Sequence, residues 1–230
     1  MDKKSVKMVV FDMAGTTVDE QKTVYMCVRE ALAEFGFDYT LDEVVNRIGG
    51  MNKREGIALL MKAQEPQIND DAVQVVFESF KKNVEQAYQK GDNLKEMEGA
   101  SELFEYLKAN NIKVVLDTGY YRTTADILIG KMGWADKGLV DFSVTSDEVE
   151  AGRPAPFMIE KAMAEFGIDS PEEVAKVGDT RSDIEEGKNT KCRFIVGISS
   201  EQYGKQDLME MGATHAIDQL SELKAILNQG

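Results

Sequence analysis

Residues 7–17 read KMVVFDMAGTT and combine a short apolar run with a polar turn. The run is rich in valine and bounded by polar residues, which is typical of a buried strand in a parallel sheet. Asp12 follows the run directly, and a Gly-Thr-Thr sequence begins three residues after Asp12. We therefore predict a strand over residues 7–11 that ends in a carboxylate and a turn whose backbone amides can face an anion.

Further runs of the same kind predict the rest of a sheet, at residues 112–116, 142–145, 174–177 and 193–198. Helical spacing of apolar residues predicts helices between them, at residues 101–110, 123–132, 156–166 and 183–189. Strands alternating with helices predict an α/β fold with a Rossmann-like, doubly wound parallel sheet. In such sheets ligands bind outside the carboxyl ends of the strands.

One long segment interrupts this alternation and contains only helical patterns, at residues 24–35, 41–48, 54–62 and 72–88. We interpret it as an α-helical domain of residues 18–94 that is inserted into a core domain of residues 1–17 and 95–230. The polar segments at the two borders would act as a hinge.

Composition excludes several classes of partner. The 27 basic and 41 acidic residues give a net charge of -14, which argues against nucleic acid as a partner. No apolar stretch approaches the roughly 20 residues of a membrane helix, so we expect no membrane partner. Cys27 and Cys192 are too few and too far apart for a disulfide framework, so a reducing cytoplasm is expected. His215 is the only histidine, which argues against most histidine-based zinc sites.

Polar residues gather where the carboxyl ends of the predicted strands meet. Asp12 after the first strand is suited to nucleophilic attack on phosphorus. Thr118 after the second strand supplies a hydroxyl donor, and Arg153 supplies a cation for phosphoryl oxygens. Asp179 and Asp183 would hold a hard divalent ion, which is needed because a carboxylate cannot approach a phosphate dianion without charge neutralisation.

These motifs, in this order, resemble those of the haloacid dehalogenase (HAD) superfamily over nearly the whole chain. The resemblance implies a HAD fold, with the helical domain as a mobile cap on the Rossmann-like core. It implies that Asp12 is the nucleophile and forms an aspartyl-phosphate. It also implies a Mg²⁺ ion held by Asp12, Asp179 and the backbone carbonyl of Ala14. Asp183 is expected either as a further ligand or as a residue that orients Asp179 or a metal-bound water. Substrate contacts are expected at Thr16, Gly119 and Tyr120.

Ala14 distinguishes this chain from most phosphatases of the superfamily, which carry a second aspartate two residues after the nucleophile to protonate the leaving alcohol. Alanine can transfer no proton. The segments FDMAGTTVD, DTGYYR, AGRPAPFM and VGDTRSD resemble the phosphonatase branch. That resemblance implies hydrolysis of phosphonoacetaldehyde or a similar small phosphonate.

Phosphonatases use a lysine of the cap to form an imine with the substrate aldehyde, so that the departing carbon leaves as an enamine. Lys53 in GMNKRE has the Gly-x-x-Lys spacing of that branch, and Met51 beside it is expected to contact substrate. Burial would favour the neutral amine of Lys53. The branch carries a histidine three residues after this lysine, where the present chain has Gly56.

Two alternatives remain open. The chain could be a phosphatase for a small phosphate monoester such as phosphoglycolate, with water or another residue replacing the missing acid. It could also be a catalytically weak binding or regulatory protein that keeps the HAD fold. The partner expected in the first two cases is a small phosphonate or phosphate, and a homodimer is compatible with the sequence.

Overall fold

The computed structural model of the protein describes residues 5–49, 51–91 and 94–228. The chain divides into two compact units, one of Met1–Asp19 with Lys95–Gly230 and one of Glu20–Leu94. We call the first the core unit and the second the helical unit. No helix of the described residues is both long and apolar enough to cross a membrane.

The core unit is built on a six-stranded parallel sheet. The strands of the unit, in chain order, are β1 Met8–Asp12, β2 Val18–Asp19, β3 Lys95–Glu96, β4 Lys113–Thr118, β5 Phe142–Thr145, β6 Val174–Gly178, β7 Phe194–Ile198 and β8 His215–Ile217. The order across the large sheet is β5-β4-β1-β6-β7-β8. The short strands β2 and β3 form a separate antiparallel pair. The predicted α/β fold with a Rossmann-like sheet is confirmed, and β1 lies at its centre.

Helices flank the sheet of the core unit. They are α5 Ala100–Ala109, α6 Arg122–Lys131, α7 Phe157–Glu165, α8 Arg181–Thr190, α9 Lys205–Met211 and α10 Leu223–Leu227. Met8 and Val10 of β1 belong to the buried cluster that includes Met158 and Ile159 of α7. Phe11 points the other way, and its ring centroid lies 5.2 Å from that of Phe104 in α5. Side chains therefore alternate between two buried faces along β1, as a sheet covered on both sides requires.

The helical unit contains four helices and no strand among its described residues. They are α1 Thr23–Glu34, α2 Leu41–Ile48, α3 Lys53–Gln64 and α4 Asp70–Lys90. Side-chain caps set where two of them begin: the Asn52 side chain accepts hydrogen bonds from the amides of Arg54 and Glu55, and Asn69 accepts one from the amide of Ala72. Such caps satisfy amides that have no partner within the helix.

Candidate active site

Asp12 ends the central strand of the core unit, and its side chain is 6% exposed. Because β1 lies between β4 and β6, the polar residues at the ends of all three strands meet around Asp12. Burial raises the pKa of Asp12 to about 6, although Arg153 acts in the opposite direction. The structure therefore places the predicted nucleophile at the carboxyl edge of the sheet, in a buried setting.

The turn after Asp12 is held by its own backbone. The amides of Thr16, Thr17 and Val18 donate to the carbonyl oxygen of Met13, and the amide of Gly15 donates to the carbonyl oxygen of Val18. The hydroxyl of Thr17 donates to the carbonyl oxygen of Asp12 at 2.9 Å. The prediction that these turn amides face an anion is therefore wrong for residues 15–18, because the turn itself uses them.

Arg153 connects two of the predicted carboxylates. Its Nη2 lies 2.6 Å from Oδ1 of Asp12, and its Nη1 donates to Oδ1 of Asp183. Burial alone would lower the pKa of Arg153, but Asp12 and Asp183 raise it well above its usual value. Arg153 is consequently a fixed cation beside Asp12, where a phosphoryl group would need one.

Asp179 directly follows β6, and its side chain packs against the turn that follows β1. The hydroxyl of Thr16 donates to Oδ1 of Asp179 at 3.1 Å. Gly15 has a φ of +84°, and a Cβ there would lie 2.7 Å from Oδ2 of Asp179, so only glycine permits this approach. Thr16, predicted to contact substrate, thus has its hydroxyl turned to Asp179, and its contact with substrate stays a prediction.

The carboxylates of Asp12, Asp179 and Asp183 fit a divalent cation. One oxygen from each lies within 4.8 Å of the others. Burial, followed by the neighbouring charges of Asp12 and Asp183, raises the pKa of Asp179 well above its usual value. Carboxylates that repel one another in a buried place are stabilised by a cation, and a set of oxygen donors suits Mg²⁺.

Within this group, the oxygens of Asp183 already have partners from the protein. Oδ1 faces Arg153 and lies 3.1 Å from Nζ of Lys176, and Oδ2 accepts from the amide of Thr180 at 3.1 Å. Burial would raise the pKa of Asp183, but Arg153 and Lys176 lower it to about 2. Asp12 and Asp179 are therefore the carboxylates better able to hold a metal, and the predicted ligand roles of Asp183 and of the Ala14 carbonyl stay predictions.

Three residues predicted to contact substrate lie where β4 ends. Thr118 is buried, and its Oγ1 accepts a hydrogen bond from the amide of Tyr120 at 3.2 Å. The carbonyl oxygen of Gly119 accepts from Ser146 at 3.0 Å, while the Tyr120 side chain is 7% exposed. The end of β4 thus lies beside Asp12, since Asp12 and Asp117 are register partners.

Sequence reasoning missed a buried charged cluster behind Asp12. Lys176, Asp117 and Glu186 are fully buried, and Nζ of Lys176 contacts the carboxylates of both acids as well as that of Asp183. The signal in the sequence was a lysine inside the apolar strand Val174–Gly178. Such a residue needs buried partners.

Lys53 and Met51 belong to the helical unit, and Gly50 of the predicted motif lies outside the described residues. Lys53 is the first residue of α3, and its Nζ donates to the carbonyl oxygen of Met51 at 2.9 Å. The same Nζ lies 5.0 Å from the ring centroid of Tyr25. Nζ of Lys53 therefore contacts a backbone carbonyl and an aromatic ring face of the helical unit.

Gly56 is packed where the phosphonatase branch would have its histidine. A Cβ at this position would lie 2.9 Å from Cβ of Ile48 in α2. Gly56 is buried within α3. Because glycine has no side chain, α2 packs closely against α3 at this position. The space for a histidine at position 56 is thus filled by Ile48.

Comparison with known proteins identifies the family of the chain. The profile of the haloacid dehalogenase-like hydrolase family matches residues 9–197. The chain belongs to the haloacid dehalogenase-like hydrolase family. It is therefore a hydrolase with the HAD fold, as its motifs predicted.

Relatives of this HAD hydrolase include both phosphonoacetaldehyde hydrolases and a phosphatase. A phosphonoacetaldehyde hydrolase of Parabacteroides distasonis is 28% identical over 98% of this chain and 97% of its own length. A phosphorylated carbohydrates phosphatase of Thermotoga maritima is also 28% identical, over 96% of this chain and all of its own length. Among solved structures, a phosphonoacetaldehyde hydrolase like protein from Oleispira antarctica has a TM-score of 0.82 at 24% identity, over 99% of this chain and 93% of that one.

Proposed function

We propose that this HAD hydrolase cleaves a small organophosphonate, phosphonoacetaldehyde or a close analogue, through an aspartyl-phosphate on Asp12 and with Mg²⁺. The observation that carries the proposal is the pairing of Asp12 with Arg153 next to Asp179, with alanine at position 14. The phosphonoacetaldehyde hydrolase from Parabacteroides distasonis supports the choice of substrate class.

The residues of the core unit have separate roles in this proposal. An oxygen of Asp12 attacks phosphorus as the carbon to phosphorus bond breaks, and water later releases phosphate from the aspartyl-phosphate. Arg153 binds phosphoryl oxygens through the guanidinium that faces Asp12, and the hydroxyl of Thr118 donates a hydrogen bond to them. Asp12 and Asp179 would hold Mg²⁺, which would neutralise charge between the nucleophile and the phosphoryl group.

Ala14 favours a leaving group that needs no proton from position 14. A bare carbanion is too unstable to leave from phosphorus, so the electron pair must move into an electron sink. If Lys53 condenses with the aldehyde, water is lost and an iminium forms. The electron pair of the broken bond then neutralises the iminium nitrogen and gives an enamine, which hydrolyses to acetaldehyde and the free amine.

The second candidate is a phosphatase of a small phosphate monoester such as phosphoglycolate. Nζ of Lys53 contacts the Met51 carbonyl and the Tyr25 ring, and in its charged form it attracts an anion and does not attack an aldehyde. The close packing of Gly56 against Ile48 leaves no place for the branch's histidine. The phosphorylated carbohydrates phosphatase from Thermotoga maritima supports this candidate.

The variant Lys53→Arg separates the two candidates, because arginine keeps the charge and cannot form an imine. Both compounds are assayed with Mg²⁺, and the protein is treated with phosphonoacetaldehyde and borohydride, followed by mass spectrometry of the peptide that carries Lys53. The phosphonatase proposal expects a reduced adduct in the wild type and loss of phosphonate hydrolysis in Lys53→Arg. Lys62→Arg, in the last turn of the same helix, is the matched control.

Vigorous ester hydrolysis without any adduct would overturn the phosphonatase proposal in favour of the phosphatase. In that case Lys53→Arg should retain most of the activity, since it still supplies a cation.

A further inference from the structure

A lysine is buried within the sheet directly behind the candidate nucleophile. Lys176 is a register partner of Val10, which precedes Asp12 by two residues on the same face of β1. The Lys176 side chain is completely buried. Its Nζ contacts Oδ1 of Asp117 and lies 3.0 Å from Oε2 of Glu186. The lysine thus occupies the layer of the core immediately beneath the site.

Lys176 is linked to Asp12 through two side chains. Its Nζ lies 3.1 Å from Oδ1 of Asp183, and that same oxygen accepts from Nη1 of Arg153. The other terminal nitrogen of Arg153, Nη2, lies 2.6 Å from Oδ1 of Asp12. Each of these contacts joins a charge to an opposite charge in a buried setting, where such interactions are strong.

The position of Arg153 depends on a competition between two carboxylates. A guanidinium binds one carboxylate best through two parallel hydrogen bonds, yet Arg153 divides its nitrogens between Asp183 and Asp12. Lys176 supplies a second positive charge to Asp183. Because Oδ2 of Asp183 accepts from the amide and hydroxyl of Thr180, Arg153 and Lys176 share Oδ1, and the second nitrogen of Arg153 remains directed to Asp12.

The buried cluster is costly to maintain. Among the described residues, Oδ2 of Asp117 and Oε1 of Glu186 are buried without a hydrogen-bond partner. Unsatisfied buried oxygens destabilise a fold, and an apolar residue at the centre of a strand is often as stable as a buried ion cluster or more so. Stability alone therefore does not explain a lysine in the strand Val174–Gly178.

We propose that Lys176 is a positioning residue for the hydrolysis at Asp12: by sharing the charge of Asp183, it keeps one nitrogen of Arg153 directed to Asp12 and to the phosphoryl group during turnover. This inference rests on the proposed role of Asp12 as nucleophile. Lys176 itself touches neither the substrate nor Asp12.

The test compares Lys176→Met with the double variant Lys176→Met/Asp117→Asn. The single variant leaves buried acids without their cation, so both its melting temperature and its activity should fall. The double variant removes one positive and one negative charge together, so its melting temperature should return toward that of the wild type. If Lys176 positions Arg153, kcat of the double variant stays at least about tenfold below that of the wild type.

A crystal structure of the double variant gives a readout that does not depend on activity. We expect Arg153 to shift toward Asp183, which has lost the charge of Lys176, and Nη2 of Arg153 to lie beyond hydrogen-bond distance of Asp12. Lys188→Met, which removes an exposed lysine of α8, is the control for the loss of a lysine and should have unchanged kcat. If the single variant does not fold, the double variant carries the test.

Two results would overturn the inference: wild-type kcat in the charge-balanced double variant, or Arg153 still on Asp12 in its crystal structure. Failure of the proposed function would look different, since the wild type would then hydrolyse neither phosphonoacetaldehyde nor phosphoglycolate. The crystallographic position of Arg153 would still decide whether Lys176 controls it.

Discussion

At the scale of single residues, Asp12 and Ala14 define what the site can do. Asp12 is a buried carboxylate paired with a cation, and Ala14 removes the acid that would serve an ordinary ester. In the proposed mechanism, the chemistry at phosphorus therefore depends on one carboxylate, while the fate of the leaving group depends on residues elsewhere. The residues around Asp12 are therefore typical of the whole family, and the assays of Lys53→Arg with the two substrates distinguish the substrate class.

The variant Asp12→Asn tests the nucleophile. An amide oxygen is a poor nucleophile and a weaker partner for Arg153, so we expect kcat to fall by about a thousandfold or more. The measurement is phosphate release with Mg²⁺ and either substrate. Asp136→Asn, at an exposed position after α6, should retain full activity. A binding or regulatory protein would instead lose no function through Asp12→Asn.

The pKa of Asp12 predicts how Mg²⁺ binding depends on pH. Because burial raises the pKa of Asp12 to about 6, protons and the metal compete for this carboxylate near that pH. We expect Mg²⁺ affinity to fall as pH decreases through the pKa of Asp12, and protonation of Asp179, whose pKa is also raised, to extend this dependence. Calorimetric titration at a series of pH values measures this. An affinity that does not change across this range would show that Asp12 is not a ligand.

Individual site residues were predictable where the chain itself brings them to the ends of strands. Asp12, Thr118 and Asp179 lie within two residues of the ends of apolar runs, so their meeting at one edge of the sheet follows from the parallel topology. Lys176 and Glu186 were not predictable in this way, because their partners come from other elements. A buried lysine is recognisable only when the carboxylates around it are known.

At the scale of elements, segments with an apolar run or a helical period were predictable, and two-residue strands were not. The predicted strand at residues 142–145 and the predicted helix at residues 41–48 have the bounds found in the structure. The pair of β2 and β3 was missed, since two residues per strand carry no alternation to detect. The turn amides of residues 15–18 were misassigned because hydrogen bonds within a turn depend on its exact backbone path.

The close contact between α2 and α3 predicts that a larger residue at position 56 destabilises the protein. Alanine there would bring two Cβ atoms to 2.9 Å, and both are fixed to backbone, so the helices must move apart. We expect Gly56→Ala to lower the free energy of unfolding by about 1–3 kcal/mol, although alanine favours the helix itself. Chemical denaturation measures the change.

Gly130→Ala is the matched control for Gly56→Ala. Gly130 lies in α6, and a Cβ there would meet nothing within 4 Å. Alanine should therefore stabilise the protein by about 0.5–1 kcal/mol, because it only improves helix propensity. Equal effects of the two substitutions would contradict the close packing of α2 against α3.

At the scale of the whole molecule, the proposed function requires an acidic protein to bind an anionic substrate. The net charge of -14 repels phosphates at long range, and screening by salt weakens this repulsion. Locally, Arg153 and a metal held by Asp12 and Asp179 would reverse the sign of the field. The carboxylates that make metal binding favourable are thus the same groups that make the metal-free protein less stable.

The variant Asp179→Asn tests this opposition between stability and function. Burial and the neighbouring carboxylates raise the pKa of Asp179, so the folded protein binds a proton there more tightly than the unfolded chain does. Folding stability from this group is therefore present at low pH and is lost as pH rises through the raised pKa. Asparagine mimics the protonated acid at every pH. Without metal, we expect Asp179→Asn to have a higher melting temperature than the wild type, with a gain that grows as pH increases.

With Mg²⁺, we expect the wild type to have a higher melting temperature than Asp179→Asn. Mg²⁺ binds the folded wild type and raises its melting temperature by mass action, whereas Asp179→Asn has lost a ligand and should respond little. Thermal unfolding of both proteins, with Mg²⁺ and with a chelator, gives the four melting temperatures that are needed. If chelated wild type and Asp179→Asn melt together at high pH, the carboxylates do not repel one another in the folded state. In that case, repulsion between the carboxylates of Asp12 and Asp179 would not be the reason that this site binds a cation.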